Sequence, residues 1–247
     1  MKHIIFLTAA LFIATSVFSQ YKDEESPTWF YMGAGGGFGN SMFFEKYFFE
    51  GVDITASAFN PSYSYYGKFG VGFPFNMGLV YEFSYQLLSQ KYEVTSNVLP
   101  TKGENYNESI KVGTTGHTIM IRGGSPSSGY IEFGPRFSTI TSHPDYTGKN
   151  AFNSKYISAE LGFGGPLYFH EAFDISLGVR LNYALTNFMV DHNYPYASAK
   201  YSTAHYTDLY NTNPFSFNLR LEMHWRIGYF RKAKCDGHVE FLFFGKE

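Results

Sequence analysis

From Phe215 to Tyr229 apolar and polar residues alternate without a break. One set reads Phe215, Phe217, Leu219, Leu221, Met223, Trp225, Ile227, Tyr229. The other reads Ser216, Asn218, Arg220, Glu222, His224, Arg226, Gly228. A helix of period 3.6 would mix the two sets, whereas a strand sends successive side chains to opposite faces and keeps them apart. Phe173, Ile175, Leu177, Val179, Leu181, Tyr183 and Leu185 alternate in the same way with Asp174, Ser176, Gly178, Arg180, Asn182, Ala184 and Thr186. Met77 to Leu88 repeats the pattern, with Val80 and Leu88 as apolar exceptions in the polar set. Tyr63–Phe73, Ile131–Ser138 and Ile157–Gly164 follow it too. Thr28–Asn40, aromatic and then Gly-rich, and the short His117–Arg122 are weaker. Eight strands are predicted.

The links between these segments alternate in length. Links 74–76, 123–129 and 164–172 are short, while 41–62, 91–114, 141–155 and 189–213 are long. Short turns at one end and long loops at the other characterise membrane barrels, which carry the apolar face outside and the polar face inside. The polar face supports this inversion: it is built of Gly, Ser, Asn, Thr and single charges rather than the Lys and Glu of a wetted surface. Aromatic residues near strand ends, Trp29, Tyr31, Tyr63, Tyr85, Tyr130, Tyr156 and Tyr229, suit the two membrane–water boundaries. The expected fold is therefore all-β: a closed antiparallel transmembrane β-barrel of eight strands. Ten is the alternative, if Val52–Phe59 and Gly237–Phe244 are also strands.

Composition agrees. Charged residues are 16% of the 247 and aromatics 20%, with mean hydropathy −0.20. That excludes several apolar helical spans and a disordered chain. A formal charge of −2 leaves no nucleic-acid footprint, and one cysteine excludes an intrachain disulfide. At the start, Lys2 and His3 precede an apolar stretch from Ile4 to Val17, and Val17-Phe18-Ser19 offers a cleavage site. The expected organisation is a signal peptide at 1–19, a lead at 20–27, the barrel at 28–230, and a periplasmic tail or terminal strand at 231–247. Cys235 would then be free and periplasmic.

The alternation, the sorted links and the Phe18-Ser19-Gln20 junction together resemble the small outer-membrane β-barrel proteins of Gram-negative bacteria of the Bacteroidota type. The resemblance is one of pattern over the whole mature chain. It implies an outer-membrane location and insertion by the barrel-assembly machinery. Such barrels often finish on an aromatic of the last strand. Here that role falls to Tyr229 or Phe230, with 17 residues beyond.

The inward face would carry Lys68, Arg122, Arg136, Arg180, Arg220 and Arg226 against Glu82, Glu132, Glu160, Asp174 and Glu222. Unpaired buried charges are costly, so these groups are expected to pair across neighbouring strands, Lys68 with Glu82 and Arg122 with Glu132 foremost. Such a lumen is either a lock of ion pairs or a gated polar path. His143 with Asp145, His192 with Asp191, and His205 with Asp208 sit in long links, and the nearest approach to a nucleophilic site is His205-Tyr206-Thr207. None matches an enzyme motif. Gly33, Gly35, Gly36, Gly37 and Gly39 open no helix, so they read as a curved first strand rather than a phosphate loop. No catalytic, cofactor or metal site is expected. Tyr194, Tyr196, Tyr201, Tyr206 and Tyr210 make the last long link a candidate binding surface or a cap over the barrel mouth. The leading expectation is a non-enzymatic structural or accessory barrel with a protein partner, an export or assembly complex being one setting for it. A narrow pore for small solutes and a lipid-modifying enzyme are the alternatives.

Overall fold

The computed structural model describes residues 29–44, 54–73, 76–94, 106–125, 128–143, 152–170, 173–190 and 212–227. Nine strands lie within them: β1 (Trp29–Phe44), β2 (Ile54–Ala56), β3 (Pro61–Phe73), β4 (Met77–Val94), β5 (Tyr106–Ser125), β6 (Gly129–Ser142), β7 (Lys155–Phe169), β8 (Phe173–Ala184) and β9 (Asn213–Ile227). β1 pairs with β3 and with β9, β3 with β4, and β4 to β9 pair in succession, all antiparallel. Eight strands thus each have two neighbours, and the ring closes without a free edge. β2 stands outside the ring and pairs only with the far end of β4, from Ile54↔Val94 to Ala56↔Tyr92. Of the two additional strands a ten-stranded barrel requires, Val52–Phe59 supplies only this three-residue appendage. The signal segment, the tail with Gly237–Phe244 and Cys235, and Tyr194 to Tyr210 lie outside the described residues.

Closure follows from the alternation. The apolar set faces out: Phe69 is 48% exposed, Phe133 59%, Leu221 54%, and Leu79, Tyr81, Phe83, Ile121 and Phe217 are exposed with them. The set with the charges faces in and is buried. Exposed apolar rings around a buried charged interior invert the soluble arrangement and match a lipid-facing wall.

β4 and β5 run further than the alternation suggests. β5 spans 20 residues where only His117–Arg122 stands out in sequence, and it stays paired with β4 up to Val94↔Tyr106. The reason is a change of polarity along each strand. Low on β5, Ile119 and Ile121 face out; higher up, Ile110 and Val112 face in and Lys111 faces out. On β4, Leu79 and Phe83 face out, but Leu88 and Tyr92 face in, with Lys91 and Glu93 exposed. The strands leave the lipid and continue as a water-facing ribbon, so a single pattern cannot run their full length.

The terminal aromatics divide. Tyr63 faces out, but Trp29, Tyr31, Tyr130 and Tyr156 are buried inside, which corrects their expected place at the membrane boundary. Inward glycines make the room. A Cβ on Gly70 would collide with the Tyr31 ring, and one on Gly72 with that of Trp29. Within β1, a Cβ at Gly33 would meet His224 at 2.6 Å and one at Gly35 the Tyr66 hydroxyl at 2.5 Å, whereas one at Gly39 would meet the Phe217 backbone. Gly33, Gly70 and Gly72 thus leave space for large inward side chains on the neighbouring strands.

Candidate functional site in the barrel interior

Four layers fill the described interior. At the short-turn end, Trp29, Tyr31, Val80 and Met120 form a small apolar cluster. Arg122 lies between two rings, 5.0 Å from the centroid of Tyr31 and 4.0 Å from that of Tyr130. Its Nη1 donates to Tyr31 Oη at 3.1 Å.

The charged layer comes next. Each of the eleven inward charges read from the sequence is buried, between 0 and 7% exposed. Their pairing is wider than adjacent strands. Lys68 and Glu82 are register partners, yet Lys68 Nζ reaches Glu222 Oε2 at 2.8 Å, two strands away, and Glu132 Oε1 at 3.5 Å across the lumen. Glu82 turns instead to Arg180 Nη2 (3.2 Å) and to Arg220 Nη1, which donates to both its oxygens at 2.9 and 3.0 Å. Glu132 accepts from Arg180 Nη2 (2.6 Å) and Arg122 Nη1 (3.2 Å). The expected Lys68–Glu82 pair is therefore replaced by links across the axis, because a long side chain fixed on the wall of a narrow tube points towards its centre. Arg122–Glu132, Arg136–Glu160 (3.1 Å) and Arg226–Asp174 do join neighbouring strands.

His224 belongs to this layer and was not among the candidate residues. Its Nδ1 is 2.8 Å from Asp174 Oδ1 and its Nε2 3.1 Å from Glu222 Oε2. The sequence carried the signal, since His224 has the same parity as Arg220, Glu222 and Arg226. Another unanticipated pair lies on the outer wall, where Tyr81 Oη and His117 Nδ1 stand 2.6 Å apart and satisfy one another.

Above the charges is a layer of amides and hydroxyls. Gln86 Nε2 donates to Ser216 Oγ at 2.7 Å, and Asn182 Nδ2 to Ser158 Oγ at 2.9 Å. Over this, at the long-link end, sits an apolar cluster in which Phe43, Leu88, Tyr92, Ile110, Val112 and Tyr156 from the wall meet Phe152, Phe188 and Met189 from two links. Asn153 N donates to Phe188 O (3.0 Å), Phe188 N to Thr212 O (3.0 Å), and Asn153 Nδ2 to Met189 O (2.8 Å), which fastens the links to each other. These parts of the two links fold over the mouth.

Of the loop histidines, His143 lies 5.6 Å from the Phe152 ring. Asp145, Asp191, His192, His205, Tyr206, Thr207, Asp208 and the five tyrosines of the candidate surface are outside the described residues. Among the described residues no group of His, Cys, Asp and Glu is arranged to hold a metal ion.

No protein-family model and no curated protein matches the sequence. Among solved structures, the chain is similar to the N-terminal β-barrel domain of Pseudomonas aeruginosa OprF, at 11% identity and TM-score 0.40 over 82% of this chain and 99% of that one. It is also similar to the outer membrane protein OprG from Pseudomonas aeruginosa, at 12% identity and TM-score 0.38 over 82% and 97%, and to Neisserial surface protein A, at 10% and 0.33 over 78% and 95%. At such distance no residue role passes from them to this chain. The closed ring, the apolar outer wall and the buried charged interior carry the conclusion by themselves: the chain is a transmembrane β-barrel of eight strands.

Proposed function

We propose that this barrel is a non-enzymatic structural or accessory component of the outer membrane, with a plugged lumen. It would be exported by a cleavable signal peptide at 1–19, inserted by the barrel-assembly machinery, and joined there to a protein partner. The observation that carries the reading is the interior network in which Glu82 and Glu132 each bind cations from two or more strands. Opening a path would separate several of these pairs at once, and every charge left alone in such a place is expensive. The apolar cluster around Phe188 adds a second closure above it. Long links at the opposite end from the short turns would face outward, and the Tyr-rich stretch 191–211 would supply the contact surface.

Reconstitution in planar bilayers tests the plug. No stable conductance is expected. A steady ohmic current that bulky inward substitutions abolish would overturn the plugged barrel and favour a narrow pore. Purification in mild detergent tests the partner: one protein should accompany the barrel in fixed ratio, and recovery of the barrel alone would remove the accessory role.

A further inference from the structure

The ring gives each wall strand two neighbours, but the ribbon above it does not. β4 and β5 stay paired without a register break from Met77↔Gly123 to Val94↔Tyr106, whereas β6 ends at Ser142, opposite Gly113. Above that point β4 and β5 each present an outer edge, and the two edges are treated differently. On β4 the edge is covered residue by residue. Ser89 N donates to Ser41 Oγ at 2.8 Å, and Ser41 Oγ to Ser89 O at 2.7 Å. Lys91 N donates to Asn60 Oδ1 at 2.7 Å, and Ser57 N to Lys91 O at 2.8 Å. β2 then takes Tyr92 to Val94.

Those bonds fix which way β5 faces. In an antiparallel pair, alternate residues turn their N–H and C=O to opposite sides. Ser89 and Lys91 turn theirs away from β5, so Leu88, Gln90 and Tyr92 bond to their register partners Val112, Ile110 and Glu108. The residues between, Asn107, Ser109 and Lys111, point their backbone groups the other way. That is the side on which Gly113 O accepts from Thr141 Oγ1 at 3.1 Å. Among the described residues no strand lies beside them there. The side chains of Asn107, Ser109 and Lys111 are exposed, while those of Ile110 and Val112 are buried in the cluster at the mouth. A ribbon with one edge covered and the other bare carries a template for a further strand.

We propose that the β5 edge from Asn107 to Lys111 docks an extended segment of a protein partner, which joins the sheet as the strand next to β5. An extended backbone is what matches N–H and C=O groups presented at every second residue. Lys111, with Lys91 diagonal to it on β4, makes the outward face basic at that end of the edge. The segment would therefore carry carboxylates outward, and apolar side chains inward beside Ile110 and Val112. A second copy of the chain does not fit. Antiparallel β5–β5 pairing needs a two-fold axis through the sheet. Because the ribbon continues the wall, that axis lies in the membrane plane and would invert one barrel. Parallel pairing needs an axis along the strands, which tilt by about 35–45° from the membrane normal. The inference rests on the reading that the barrel has a protein partner, and it places a contact on β5.

Ser109→Pro isolates the edge, because it removes an N–H that β4 does not use, at an edge position where proline is tolerated. The probe is a short fluorescent peptide of alternating valine and glutamate, added to the folded barrel in mild detergent. Wild type should bind it, and hydrogen exchange at the Ser109 and Lys111 amides should slow. Ser109→Pro should bind about tenfold more weakly while keeping the wild-type urea midpoint. Lys111→Glu, which leaves the backbone intact, should also bind more weakly, and a peptide N-methylated at alternate residues should not bind wild type. Three results would each overturn the proposal: no binding by wild type, equal binding by both variants, or slow exchange at these amides in the barrel alone. The last would mean that the barrel's own chain or a second copy holds the edge. Co-purification in mild detergent separates this inference from the partner reading. A protein that stays with Ser109→Pro in the wild-type ratio keeps the partner and overturns the edge, whereas wild type recovered alone removes the partner and leaves the edge to be decided by the peptide.

Discussion

Glu82 shows how much one interior side chain holds. It is wholly buried and accepts from Arg180 and Arg220, whose own strands lie on the other side of the tube. Glu82→Ala leaves Arg220 with no carboxylate, only the Tyr66 ring at 4.0 Å. Removing one partner of a buried pair costs about 3–5 kcal/mol, so the urea midpoint of the variant, followed by tryptophan fluorescence from Trp29 and Trp225, should fall sharply. Lys111→Ala, at an exposed position on the outward face of β5, should stay within about 0.5 kcal/mol of wild type. On the other face, Leu221 is 54% exposed to the surrounding lipid. Leu221→Arg puts a charge there at a cost of about 2–4 kcal/mol near mid-membrane. The folded fraction after refolding into lipid vesicles should drop, and normal insertion would mean the faces had been assigned in reverse. Parity in the sequence is enough to assign both positions. It could not reveal that Lys68 passes over its register partner Glu82, because reach across a lumen depends on ring closure and not on spacing along a strand.

At the scale of the element, legibility tracks the membrane. Where a strand is in lipid, as in Phe215 to Ile227, its outward face must be apolar and the pattern is plain. Where β4 and β5 rise out of it the constraint reverses, and the stretch from Tyr106 to Gly116 lost its signal although it remains paired. Inward aromatics blur the pattern in a different way, since Tyr31 and Tyr66 put large rings on the polar face. Each needs a small residue opposite. Gly70→Val should push Tyr31 off its bond to Arg122 and destabilise the barrel by about 1–3 kcal/mol, the usual cost of overpacking. An unchanged urea midpoint would deny that these glycines exist to make room. The two links over the mouth form a separate unit, fastened to the wall chiefly through buried Phe152 and Phe188. Phe188→Ala should speed hydrogen exchange at the Asn153 and Phe188 amides, whose acceptors are Phe188 O and Thr212 O, by at least tenfold. Amides in the middle of β9 should exchange as before. Equal acceleration in both places would show that the mouth and the wall unfold together.

Across the whole molecule, closure turns local preferences into a single cooperative object. Each of the eight wall strands has a partner on either side, so the backbone groups within the wall are satisfied without solvent, as the hydrocarbon demands. The outward apolar run on β4 from Met77 to Leu87 covers about 25 Å of height once strand tilt is counted, which is the thickness of the lipid-facing band of such barrels. Inside, the charges bind β3, β4, β6, β8 and β9 to one another across the axis. Detergent that strips lipid from the outer wall therefore reaches neither the ring of backbone bonds nor the pairs within it. Unboiled protein in dodecyl sulfate should keep its barrel and migrate faster than the boiled, extended chain. The difference should survive in Phe188→Ala, where the wall is intact, and should disappear at a lower heating temperature in Glu82→Ala, where the cross-links are cut. Identical migration of heated and unheated wild type would deny a closed, internally locked ring, because an open sheet with the same eight strands would expose two edges and unfold in the detergent.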